Sequence, residues 1–189
     1  ENCIGYFGTM EKLYKNIIVM KYGVHASEDV ESIVVRKMQE VQVAKKMFWG
    51  YGGVLCHPLK QVQPFLRENC SKGEKTYLLL SETLSRFDNT PSEASFYSFN
   101  KIEWDSVPKG VKILGSKYAI ICKNIIVCDF FIDLANYVIP IGNSKGKILS
   151  DYMRGRVDKA CGRYVENLNQ SKPMKISLYG EIENAVFVK

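Results

Sequence analysis

A chain of 189 residues, 46% hydrophobic and 24% charged, has the composition of one globular domain long enough to bury a real core. That composition excludes an acidic disordered tail and a low-complexity chain. The net charge of +6 permits an anionic partner without demanding one, and residues 96–189 carry most of the excess, with 14 basic and 9 acidic groups.

Glu1–Thr9 reads as a tag remnant or an N-terminal extension, with Met10 as a candidate native start and residues 10–189 as a single α+β domain. No secretory pattern opens the chain, and its apolar runs are broken by Lys, Asn or Asp well before eighteen residues. The expectation is a cytoplasmic protein without membrane contact. The six cysteines form no C-x-x-C, so they read as reduced thiols and not as a zinc ribbon.

Along the chain, Asn16–Tyr22 is apolar and β-branched and reads as a strand. Residues 28–46 read as a helix: Ser27 stands at the N-cap, and Val30, Ile33, Val34, Met38 and Val41 recur at helical spacing. Residues 48–53 are too rich in glycine for a helix and suit a short strand or a turn. Pro58 suits the first position of a short helix over 58–66, which Pro64 keeps short. Residues 75–80 read as a strand and 88–92 as a surface loop. The segments 111–114, 118–122, 125–132 and 137–141 are dense in Val, Ile, Tyr and Phe, with breaks of hairpin length, and predict an antiparallel meander. An apolar stripe of period 3.6 predicts a second long helix over 148–165, and 174–179 with 185–188 read as strand, turn, strand. The sum is an α+β fold: a mainly antiparallel sheet with two principal helices packed against it.

Four sets of residues carry candidate chemistry. Gly142, Asn143, Ser144, Lys145, Gly146 and Lys147 lie between a predicted strand and a predicted helix start. Glycines there allow amides to converge, and the lysines add charge, which is how a backbone cradles phosphate. The spacing is not that of a P-loop, because Ile148 stands where the magnesium-binding hydroxyl belongs, so an NTPase is excluded. An ordinary solvated turn explains the same residues. Arg156, Lys159 and Arg163 share a face of the predicted helix, either as a solvated surface or as extra phosphate ligands. Trp49 and Tyr51 alternate beside three glycines, which suits a stacking platform or core packing. Cys56 and His57 are adjacent and so point apart on an extended chain. A nucleophilic role for them needs a partner from elsewhere, such as His25, Glu82 or Asp105.

Three readings follow. The first is a binding protein for a small phosphorylated ligand, a nucleotide or nucleotide-type signal, in the style of a viral or mobile-element accessory protein. The loop would hold phosphate, Arg156 and Arg163 would add charge, and Trp49 or Tyr51 would stack the base. The second is a small enzyme acting on a nucleotide or glycosyl bond, with Cys56, His57 or the acidic residues Glu82, Glu103 and Asp105 in the site. The third is a module for nucleic acid or protein. No cofactor and no metal are called for, and the oligomeric state is left open.

Overall fold

The computed structural model describes residues 14–24, 28–51, 59–83, 96–98, 112–114, 118–154, 157–166 and 171–187. Three strands and two helices alternate first: β1 (Asn16–Tyr22), α1 (Val30–Ala44), β2 (Met47–Tyr51), α2 (Leu59–Ser71) and β3 (Thr76–Glu82). Strands follow: β4 (Phe96–Ser98), β5 (Lys112–Leu114), β6 (Tyr118–Cys122), β7 (Ile126–Ile132) and β8 (Tyr137–Val138). The one-turn helix α3 (Leu149–Tyr152), β9 (Lys159–Tyr164) and the long β10 (Met174–Phe187) complete the chain.

The main sheet has the order β2-β6-β10-β3-β1-β9-β8, with β7 also on β10. Strands β1 and β3 run parallel, and the other described pairings are antiparallel. The α+β architecture with two substantial helices is therefore as the sequence predicts. Neighbouring strands lie about 4.8 Å apart, so the five steps from β2 to β9 span about 24 Å along the sheet. Yet the Lys159 Nζ on β9 sits 5.6 Å from the ring centre of Tyr51 on β2. The sheet curves toward the helix-bearing face, so that long side chains from β2 and β9 meet across it.

Helix α1 starts at Asp29, whose carboxylate accepts from the Ser32 amide at 2.8 Å. It stops at Lys45, which adopts a left-handed conformation with φ 63°. Helix α2 runs to Ser71, past the expected end at 66, and carries Pro64 inside it. An interior proline costs about 3 kcal/mol. The neighbouring Val62 and Phe65 are fully buried, at about 1.5–3 kcal/mol each, which offsets that cost.

Three predictions need correction. The helix expected over 148–165 is one turn followed by strand β9. Gly155 and Gly162 each weaken a helix by about 1 kcal/mol, whereas 159–164 as a strand gains a ladder with β1. Gly162 also suits close packing: a Cβ there would lie 2.6 Å from the Leu149 Cδ2 and 3.2 Å from the Ile17 Cγ1. The meander is absent too. Strand β5 pairs with β4, while β6 and β7 lie end to end along the same edge of β10. The Lys-Asn break between them is a kink in one long strand line and not a hairpin. The expected pair of terminal strands is likewise a single strand, β10.

The sheet has two buried faces. One packs Ile33 of α1 and Val62 and Phe65 of α2 against Ile18, Met20, Leu78, Leu80, Trp49 and Tyr51. The other packs Ile17, Val19, Leu79 and Ile176 under Leu134, Tyr137, Ile139, Leu149 and Met153.

Candidate functional site

The Gly-Lys loop is closed on itself. Gly142 and Gly146 take φ of 88° and 91°, which glycine alone adopts readily. The amides of Lys145, Gly146 and Lys147 donate to the carbonyls of Gly142, Ile139 and Ser144, at 3.1, 2.8 and 3.0 Å. The Ile139 amide in turn donates to Lys147. Three amides expected to converge on an anion are thus used by the chain's own carbonyls. The helix expected to add its dipole is one turn long. Gly142 also lies against Gln61, whose Oε1 would be 2.8 Å from an added Cβ. The loop is a hydrogen-bonded turn and not an open cradle.

Arg163 is on β9, beneath α2, and is engaged from three sides. It donates to Asn69 Oδ1 at 3.0 Å and Asn16 Oδ1 at 3.3 Å, faces Glu68 at 3.6 Å, and stands 5.3 Å over the Phe65 ring. Asn16 and Asn69 are fully buried, and Asn69 donates onward to Thr76 Oγ1 at 2.9 Å. This network ties α2 to β1, β3 and β9.

Trp49 and Tyr51 do share a face, as the alternation predicts. That face is the core, where they are 8% and 0% exposed. Tyr22 meets Trp49 edge-on at 5.6 Å, and Lys37 stands 5.9 Å over the indole. These rings serve packing and offer no free platform. Their neighbour Phe48 is held by a buried ion pair from α1: its amide donates to Glu40 Oε1 at 2.6 Å, and Lys37 Nζ donates to its carbonyl. Burial pulls the Lys37 ammonium down to about 8 and raises the Glu40 carboxyl. Both residues lie on a face that the helical pattern marks as apolar. Met38, expected there, is 44% exposed.

Cys56, His57 and Arg156 lie outside the described residues, as do His25, Glu103 and Asp105. Glu82 ends β3 and is exposed. Cys70, Cys122, Cys128 and Cys161 are reduced and form no disulfide with one another. Among the described residues no group of His, Cys, Asp or Glu could hold a metal, and no helix is long and apolar enough to cross a membrane.

Two hollows open on the face opposite the helices. The first, about 200 Å³, is lined by Leu134, Ser150, Met153, Arg154, Ser171, Lys172 and Met174. Its cations suggest an anion site, but two of its donors are already engaged within the protein. Ser171 Oγ donates to the buried Asp133 at 2.6 Å, and Arg154 pairs with Asp151 at 3.0 Å.

The second hollow, about 210 Å³, is lined by Tyr14, Tyr77, Asn124, Ile126, Tyr179 and Glu181. Tyr14 forms its back wall, stacked parallel on Phe130 with ring centres 5.6 Å apart. Tyr77 and Tyr179 lie edge-on to Tyr14 at 4.8 and 5.5 Å and are half-buried, so they carry aromatic surface outward. Burial pushes the Tyr14 and Tyr77 phenols up, so both remain protonated at neutral pH. Glu181 receives Lys123 at 2.6 Å and Lys75 at 3.3 Å. The hydrogen bond from Lys123 and the nearby Lys75 hold its carboxyl below the usual glutamate range.

The kink between β6 and β7 builds this cleft. The Lys123 amide donates to the Glu181 carbonyl at 2.9 Å, and the Glu181 amide donates to Asn124 Oδ1 at 3.2 Å. The Asn124 side chain thereby replaces a strand carbonyl, and its NH2 group is left to donate. Gly180 lets the kink lie flat on β10, since a Cβ there would overlap the Asn124 carbonyl oxygen. Sequence reasoning missed this site because Tyr14, Tyr77, Asn124 and Tyr179 come from distant segments. Strand periodicity alone places Tyr77 with Leu79 on one face. The chain matches no protein-family model, no curated protein and no solved structure.

Proposed function

We propose that this protein binds a small phosphorylated ligand of nucleotide type, with the base in the tyrosine cleft. The observation that carries the reading is the cleft itself: three tyrosines, a carboxamide and an ionised carboxylate around about 210 Å³. That volume is below the range for whole ligands, so it suits one planar base with the sugar and phosphate outside. Aromatic surface supplies stacking, and Lys75 and Lys123 stand at the rim for the phosphate. Glu181, Lys75 and Lys123 sum to a net charge of +1, which favours an anionic ligand over the ammonium cations that aromatic cages take. The described lining has no adjacent acid–base pair with a nucleophile, so binding and not turnover is the reading.

Thermal shift with AMP, GMP, CMP and UMP tests it. A nucleotide at 100 times its dissociation constant stabilises the protein by about 2.7 kcal/mol. Replacing both Tyr77 and Tyr179 by Ala is expected to remove that gain. The reading fails if none of the four stabilises the protein at millimolar concentration, or if the double variant responds like the wild type.

A further inference from the structure

We infer that the cleft selects guanine, read on its Watson–Crick edge by Glu181 and Asn124. This rests on the nucleotide reading of the same cleft and adds the identity of the base.

The argument is one of donors and acceptors. Glu181 is a cross-strand neighbour of Tyr77, and its carboxylate lines the cleft beside the rings. Held ionised by Lys123 and Lys75, it only accepts, and each oxygen keeps a lone pair beyond its lysine. Asn124 has its Oδ1 committed to the Glu181 amide, so it offers N–H alone. The cleft thus presents two adjacent acceptors and one donor. Guanine carries the complement: N1–H and the 2-amino group side by side, then the O6 acceptor. The two donors form a fork that a carboxylate receives bidentately, as it receives a guanidinium. Adenine has no ring N–H on that edge, and its N1 would set a lone pair against the carboxylate. Uracil has a single donor between two acceptors, and cytosine has one donor beside two acceptors. Each leaves a carboxylate oxygen facing an acceptor or nothing. The stacking surface does not distinguish bases, because every base has a π-face, so selection falls to these two side chains.

Gly180 keeps the reading pair in register. The kink that carries Asn124 rests directly on it, and the residue after it is Glu181. Both groups are set on backbone that is hydrogen-bonded across β10, which limits their motion.

Isothermal titration of the wild-type protein with GMP, IMP and AMP is the test. IMP keeps N1–H and O6 and lacks only the 2-amino group. A bidentate contact is expected to make GMP bind about ten-fold or more tighter than either IMP or AMP. Glu181→Gln, which replaces one acceptor oxygen by NH2, is expected to bring the three affinities together, and Tyr ring proton shifts on GMP addition report contact in the wild type without any variant. A pentanucleotide, d(TTGTT), forms a second arm: tighter binding than GMP assigns the guanine to a single strand, and weaker binding to a free nucleotide, both in keeping with guanine selection. Equal affinities for GMP, IMP and AMP overturn the inference while leaving the nucleotide reading intact. Binding of none of them overturns both.

Discussion

The two faces of the sheet are built from similar strands and covered differently. One lies under two helices of 15 and 13 residues, whose side chains interdigitate with it. The other lies under a 3-10 turn, a single turn of helix and connecting chain. Both described hollows open on the second face. The contrast teaches that tight covering consumes polar groups. Lys37, Glu40, Asn16, Asn69 and Arg163 all lie on or against the helix-bearing side and all have partners in the protein. Where the cover is thin, rings and a carboxylate stay within reach of solvent.

Variants on the helix side should therefore cost stability, and those around the cleft should cost binding. The largest effect is expected for Lys37→Met, which leaves Glu40 buried without its cation and the Phe48 carbonyl without its donor. A loss of about 3–5 kcal/mol should appear in urea denaturation. Arg163→Ala strips two buried asparagines of a donor and should lower stability by about 1–3 kcal/mol in the same measurement. Gly180→Ala pushes a Cβ against backbone that cannot rotate away. It should cost about 1–3 kcal/mol and also weaken nucleotide binding, thus joining the two classes.

Acid gives a smaller effect with a definite sign. The folded-state value of Glu181 lies below the ordinary 4.5, so its contribution is fully present above 4.5. It is lost as pH falls through the lower, folded value. The Glu181→Gln protein should lose less stability than the wild type between pH 7 and pH 3, by about 1 kcal/mol or less, as read from urea midpoints. The smallest effect is expected for Arg154→Ala combined with Lys172→Ala in the other hollow: stability within about 0.5 kcal/mol of wild type and unchanged nucleotide affinity.

Much of the fold is legible locally. Residues 16–22, 118–122 and the helix over 30–44 follow from β-branched runs, helical spacing and an acidic N-cap region. The segment 148–165 is not, because its apolar residues fit a period of 3.6 and its second half also fits a period of 2. Partners decide between them: β1 offers an open ladder to 159–164, and local pattern does not contain β1. Lys159 and Arg163 fall on one face under either period, so their placement together is predicted for the wrong reason. The loop at 142–147 is found as a turn with two left-handed glycines, and its failure as a cradle depends on Ile139 taking its amide and carbonyl groups. The cleft depends on Tyr14, just before β1, meeting Tyr77 of β3 and Tyr179 of β10, a product of strand order that composition does not encode.

The Lys37–Glu40 pair has a consequence for self-association. Strand β2 ends the sheet, and the side of Phe48 that faces away from β6 would otherwise present a bare N–H and C=O to any passing strand. A carboxylate and an ammonium already occupy them. The opposite end is β8, only two residues long and bridged through Val138 to Ile148. At Phe48 the protein's own side chains thus fill the rung that an incoming strand would use, and the far end of the strand path is only two residues long.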